Sequence, residues 1–264
     1  MAIHAHFKEI PVLEVFGAAS LYKTFSLPEL VSSNFEIPDV MLGRQAEAIF
    51  ESIVTQSETY TLLAANIQIQ SPTKTIGELD YLLQDNKTNT HFHVELSCKF
   101  YLFDPKSCGT FAQKWIGPNK KDSLQDKITK LRDKQFPLLF DANTANHLEN
   151  IGFNPSKAIQ QCYLAASLYL PLGHAIQELP QAYQKCVVGF WVHYNQLVLE
   201  QHTSYALVEK KQWLLPPNSI TNWCNAKEIR NKILEALENK KAPQVYKKSG
   251  AVIEKFFVVW WDLE

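Results

Sequence analysis

The chain has 264 residues, of which 46% are hydrophobic and 20% charged, the balance of a folded domain rather than a disordered one. Its 26 basic and 27 acidic residues leave a formal net charge of −1, so any basic footprint for nucleic acid or anionic lipid must be local. Five cysteines without a C-x-x-C pair exclude a zinc knuckle or a dithiol redox motif, and free thiols suit a reducing compartment.

The first residues, MAIHAHFKEI, lack the basic-then-apolar order of a secretory signal. The longest near-apolar run, CYLAASLYLPLGHAI, carries Pro171 and Gly173 and is too short to span a bilayer. A cytoplasmic protein without membrane contact is expected, and nothing in the chain speaks to oligomeric state.

In chain order, Pro11, Pro28 and Pro38 punctuate an N-terminal extension over 1–40 into turns and short helices. MLGRQAEAIFESIV (41–54) spaces Ala46, Ile49, Phe50 and Ile53 as one helical stripe, with Glu47 on its flank. Strands are predicted over 62–70, 75–84 and 91–103, the last two joined by the polar turn DNKTN. After a long loop, 120–136 reads as a helix with Leu124, Ile128 and Leu131 on one side. The second half offers strands at 160–172, 187–199 and 204–215, a helix at 226–239 and a closing apolar strand at 252–261. The polar stretch 141–154 marks the border between a core over 41–141 and a C-terminal α/β part over 142–264, packed together as one unit.

The stretch GELDYLLQDNKTNTHFHVELSCKF (77–100) raises a chemical question, because charged side chains inside a sheet are costly unless paired or bound to metal. Side chains alternate with period two, so Glu78 and Asp80 share one face of their strand, as do His93, Glu95, Ser97 and Lys99 of theirs. If the face is common, three carboxylates and an ammonium converge. A wet hairpin face with cross-strand ion pairs is the plain alternative. Clustered acids that repel one another favour a cation between them.

These residues resemble the PD-(D/E)XK nuclease superfamily, whose active site pairs an acid on one hairpin strand with an E-x-K motif on the next. More closely, LGRQAEAIFE, TIGELDYLL, HFHVELSCKFYL, WIGPNKKDSLQDKITKLRDKQ and KKQWLLPP resemble an uncharacterised bacterial family grouped with that superfamily. The resemblance implies an α/β fold, a restriction-endonuclease-like core with a mixed sheet flanked by helices, extended by C-terminal strands and a helix. It implies metal binding by Asp80, Glu95, the Leu96 backbone carbonyl and Glu47, and catalysis by Asp80, Glu95, Lys99, Glu47, Glu78 and Gln135.

The implied activity is Mg2+- or Mn2+-dependent hydrolysis of phosphodiester bonds, with nucleic acid, DNA favoured, as the partner. One departure stands out: two residues after Glu95 comes Ser97, and Lys99 lies roughly 7 Å further along the strand. The alternative is a catalytically degenerate nuclease fold that binds nucleic acid or protein.

Residues 114–134 carry seven basic against three acidic side chains. At 100° per residue Lys127, Lys130 and Lys134 form one stripe, a candidate grip for the substrate backbone beside Ser97 and His93, or simply a solvated helix face. His91-x-His93-x-Glu95 could instead form a transition-metal site, although no other histidine completes it. The tryptophans of the second half could stack bases, but FFVVWW reads better as a buried strand.

Overall fold

In a computed structural model, which describes residues 3–17, 20–29 and 35–261, the chain opens with helix α1 (Ile3–Glu9) and strand β1 (Lys23–Thr24). Positions 1, 2, 18, 19 and 30–34 of the expected N-terminal extension lie outside the described residues. Helix α2 (Leu42–Thr55) forms where Leu42, Ala46, Ile49, Phe50 and Ile53 recur three or four residues apart. Burial of that stripe, rather than a cap, stabilises the helix, since Met41 offers its start no side-chain hydrogen bond.

Three strands follow as an antiparallel meander in chain order: β2 (Tyr60–Gln70), β3 (Thr75–Asp85) and β4 (His91–Phe103). The turn between the last two closes because the Asp85 carboxylate accepts the Lys87 and Thr88 N–H groups while Asn89 takes a left-handed φ of 55°. A two-residue strand β5 (Trp115–Ile116) then pairs with the end of β4.

Helix α3 (Leu124–Lys130) starts on a Ser123–Asp126 capping box and passes through a π turn (Leu131–Gln135) into α4 (Phe136–Leu138). Pro137 explains the π turn: it has no N–H for the carbonyl of Asp133, and its ring would strike that carbonyl in a regular helix. The 141–154 stretch folds into a 3-10 turn and helix α5 (Ala145–Asn150).

The remaining elements are β6 (Ile159–Pro171), α6 (Gln181–Gln184), β7 (Val187–His193), β8 (Ser204–Val208), α7 (Ala226–Glu238), β9 (Gln244–Ser249) and β10 (Val252–Val259). One ten-stranded mixed sheet runs β2-β3-β4-β6-β7-β10-β9-β8, with β1 on β6 and β5 on β4. The α/β architecture expected from the sequence is therefore present, and the sheet is continuous from β4 into β6, its longest parallel ladder. Two strands are shorter than the periodicity suggests, ending at His193 and Val208, where 3-10 turns take over. β9 escapes the sequence reading because Lys247, Lys248 and Ser249 hide its alternation.

Helices α1 and α2 cover one face of the sheet, packing Phe7, Ile49 and Phe50 against Tyr81, Val94, Tyr163 and Phe257. On the other face α3 packs on Tyr101, Phe103 and Leu164, and α7 sets Ile229 and Ile233 on Phe256 and Val258. The FFVVWW run is thus the buried strand expected, sandwiched between β7 and β9. Its neighbour Gly189 on β7 has no room to grow: a Cβ there would lie 2.1 Å from the Lys255 carbonyl oxygen. Gly189→Ala is expected to cost about 1–3 kcal/mol, read as a lower urea midpoint at unchanged slope.

Candidate functional site

The site begins where two strands part. β3 and β4 pair from Gln84↔His91 to Tyr81↔Val94, and there the pairing stops. Opposite Asp80 on β2 stands Asn66, whose backbone is left-handed at φ 53°. The ribbon changes face at this point. Tyr81 and Leu83 pack towards α2, whereas Leu79 joins Leu138 on the other side and a Cβ on Gly77 would meet the Leu138 side chain. β3 swings away with β2, and the Leu96 N–H that a straight ladder would give to β3 backbone donates to Asp80 Oδ2 at 2.9 Å.

Around that fork a polar network crosses the sheet. Gln160 of β6 donates from Nε2 to the Phe136 carbonyl at 2.7 Å and to His93 Nδ1 at 2.9 Å. Since Nδ1 accepts, the His93 proton is on Nε2, which donates to Glu95 Oε1 at 2.9 Å. Gln135 donates to Glu95 Oε2, and Lys127 Nζ donates to Gln135 Oε1 at 2.8 Å. His93 and Glu95 are fully buried, while Asp80, Lys127 and Gln135 are half-buried, so the network opens to solvent at their end.

Burial sets the charge state. Desolvation, then the neighbouring Glu95, pushes the Asp80 carboxyl up to about 8. Desolvation likewise raises Glu95 to about 7, against the pull of Lys127. Each carboxyl thus raises the cost of ionising the other, so the buried pair holds a proton more readily than two separate acids would. Burial lowers Lys127 to about 8 despite both acids, and His93 to about 4. The structure therefore gathers two carboxyls and an amine that exchange protons near neutral pH, beside an imidazole that stays neutral.

Of the residues singled out in the sequence, Asp80, Glu95, Leu96, His93, Gln135 and Lys127 meet here. Others do not. Lys99 shares the Glu95 face but its ammonium is held by Asp122 at 2.7 Å, as its extra distance along β4 allows. Glu47 sits on α2, which packs on the opposite face of the sheet, and its carboxylate pairs with Arg44 at 2.6 Å. Glu78 does not share a face with Asp80, because the alternation reverses at the kink; it lies in the field of Arg44. Ser97 is buried and donates its hydroxyl to the Leu96 carbonyl at 2.8 Å.

The basic stripe is also split. A π turn advances about 4.4 residues per turn instead of 3.6, which brings Gln135 to within about 10° of Lys127 rather than about 80° away. Lys127 turns inward, while Lys130 and Lys134 stay exposed. His91 is not a partner of His93 in a metal site: it stacks on Phe153 and its Nδ1 accepts the Asn154 N–H at 2.9 Å.

Past the fork, the β4 edge from Leu96 to Phe100 forms the floor of a groove of about 630 Å³. Its walls are Met41 and Gly43 at the start of α2, Asp122, and Lys210, Lys211 and Trp213 of the KKQWLLPP segment. The sequence reading used that segment for the family resemblance alone and gave it no role at the site. It also missed Gln160, one of two adjacent glutamines at the start of an apolar strand, whose partner His93 lies 67 residues away. No helix among the described residues is long and apolar enough to cross a membrane.

No curated protein and no solved structure shows significant similarity to this chain. One family does: the domain of unknown function DUF1853 matches residues 22–259, which takes in the fork, its network and the groove. The chain is a member of the DUF1853 family.

Proposed function

We propose that the fork between β3 and β4 hydrolyses phosphodiester bonds with a divalent cation, in the manner of the PD-(D/E)XK nucleases that the sequence resembles. The observation that carries this reading is the Asp80 carboxyl seated on the Leu96 N–H, beside the buried Glu95, with the Lys127 amine linked to Glu95 through Gln135. Two acids crowded together out of water are an arrangement that a divalent cation would relieve. The Leu96 carbonyl lies on the same strand edge, since the N–H of that residue already points at Asp80. Among the described residues no three His, Cys, Asp or Glu side chains are placed to hold one metal ion, so the rest of the shell would be water, as Mg2+ and Mn2+ accept.

The residues fit such an ion: Asp80, Glu95 and the Leu96 carbonyl would hold it. Bound there, it supplies charge neutralisation at the phosphate and a lower pKa for water. The chain does the rest. His93 and Gln135 fix both oxygens of Glu95, so the carboxylate cannot swing away. Lys127 Nζ, whose proton is labile near pH 8, is the group that orients water or protonates a departing oxygen. Lys99, Lys210 and Lys211 line the groove along which an anionic strand would lie, with DNA as the favoured partner.

A second reading has its own observation. Both Glu95 oxygens already have protein donors, so the network can stand as a structural polar core in a binding module. Calorimetric titration of Mn2+ and Mg2+ into the wild type and an Asp80→Ala/Glu95→Ala variant separates them, followed by incubation of both with duplex and single-stranded DNA. Hydrolysis predicts micromolar-to-millimolar Mn2+ binding and metal-dependent cleavage, both lost in the variant. Wild type without metal-dependent cleavage leaves the binding module.

A further inference from the structure

Away from the fork, a second polar cluster sits inside the apolar layer under α1. A small, partly open pocket of about 70 Å³ lies between α1, the end of the KKQWLLPP segment and the sheet. Its polar lining comes from His6 and Glu9 of α1, Ser167 of β6, Tyr246 of β9 and Lys255 of β10.

Lys255 is the anomaly. It lies on the face that Phe257 and Tyr169 give to the core, and among the described residues no carboxylate is within ion-pair distance of its amine. The charged or titratable groups it feels are the Cys98 thiol and the His6 imidazole, and burial lowers the amine to about 8. Glu9 is turned to solvent and spends its carboxylate on His6 at 3.5 Å. Ser167, buried on β6, also lines the pocket. Lys255 is half-buried, and an ammonium drawn that far out of water without a counter-charge is costly, where a hydrophobic residue of the same volume would pack without that cost.

An amine, two hydroxyls and an imidazole that can each donate into one small space, with the nearest carboxylate turned outward, are the complement of an anion. The volume holds about two waters, enough for a carboxylate or phosphate group and too little for a nucleoside. We propose that this pocket binds a small oxyanion of that kind, held by Lys255, Ser167 and His6. Trp213 lines both this pocket and the groove, so the anion braces the groove wall from behind. The site does not depend on hydrolysis at the fork.

The test labels the wild-type chain with acetic anhydride at pH 8 in chloride, acetate or inorganic phosphate of equal ionic strength, and reads each lysine by mass spectrometry. Phosphate or acetate is expected to slow acetylation of Lys255 at least fivefold in a saturable way, with exposed Lys157 unaffected. Protection by acetate alone assigns a carboxylate, and protection by phosphate a phosphate group. Equal Lys255 labelling in all three salts overturns the proposal. In parallel, the protecting anion should raise the wild-type Tm by about 2–4 °C over chloride, and Lys255→Met or Ser167→Val should remove most of that rise. An equal rise in wild type and variants is general salting-out and overturns it as well.

Discussion

Replacing Lys127 with methionine is expected to slow phosphodiester cleavage by about 10²–10³, the range by which a positioned proton-transfer group accelerates a reaction. Lys99→Met, by contrast, should change the rate by no more than about fivefold, because it removes a half-exposed ion pair with Asp122. The contrast reverses the expectation that the nuclease resemblance implied, which gave the catalytic ammonium to Lys99. Lys127 is closer to the chemistry because it reaches Gln135, which in turn holds Glu95. Methionine keeps most of the lysine stem, so the helix packing survives and a Tm close to wild type guards against a folding artefact. The measurement is the initial rate of metal-dependent cleavage for both variants at one pH. Equal losses, or the larger loss at Lys99, would return the role to the strand lysine.

In metal-free buffer the folded protein is expected to lose about 2 kcal/mol of stability between pH 6.5 and 8. Asp80 and Glu95 hold protons up to about 8 and about 7 in the folded chain, against ordinary values of 3.8 and 4.5. Over that window the folded state binds more protons than the unfolded one, so raising the pH favours unfolding. His93 works in the opposite sense, since its folded value of about 4 lies below 6.5, and it offsets the acids at lower pH. Lys127 also opposes them above about 8, where the folded chain sheds its proton first, so the minimum falls near pH 8. Asp80→Asn removes most of the fall. Urea midpoints at pH 6.5 and 8, with EDTA and then with Mn2+, give the result. Under the metal reading Mn2+ restores wild-type stability at pH 8 and does nothing for the variant. A wild-type curve that rises or stays flat would mean that the two acids are not coupled as the fork implies.

How much of this was legible in the residues is itself a physical question. The α2 stripe, the β2-β3-β4 meander, the buried FFVVWW strand and the nearness of Asp80 to Glu95 are local or nearly so. Period, turn chemistry and antiparallel pairing across one short turn suffice to place them. The sequence by itself thus determined an α/β chain with two acids facing each other across a hairpin.

What it could not determine depends on departures from ideal period and on distant pairings. The left-handed Asn66 flips the ribbon and removes Glu78 from the face of Asp80, a reversal that strict alternation cannot register. The π turn before Pro137 rotates Gln135 into line with Lys127 and pulls the basic stripe apart. Gln160 reaches His93 only because β6 lies parallel to β4, and KKQWLLPP reaches the groove only through packing against Phe100 and Phe257. Those contacts join residues 44 to 113 positions apart in the chain. Their partners are chosen by burial and by the need to satisfy polar groups away from water, terms that exist only once the sheet has formed.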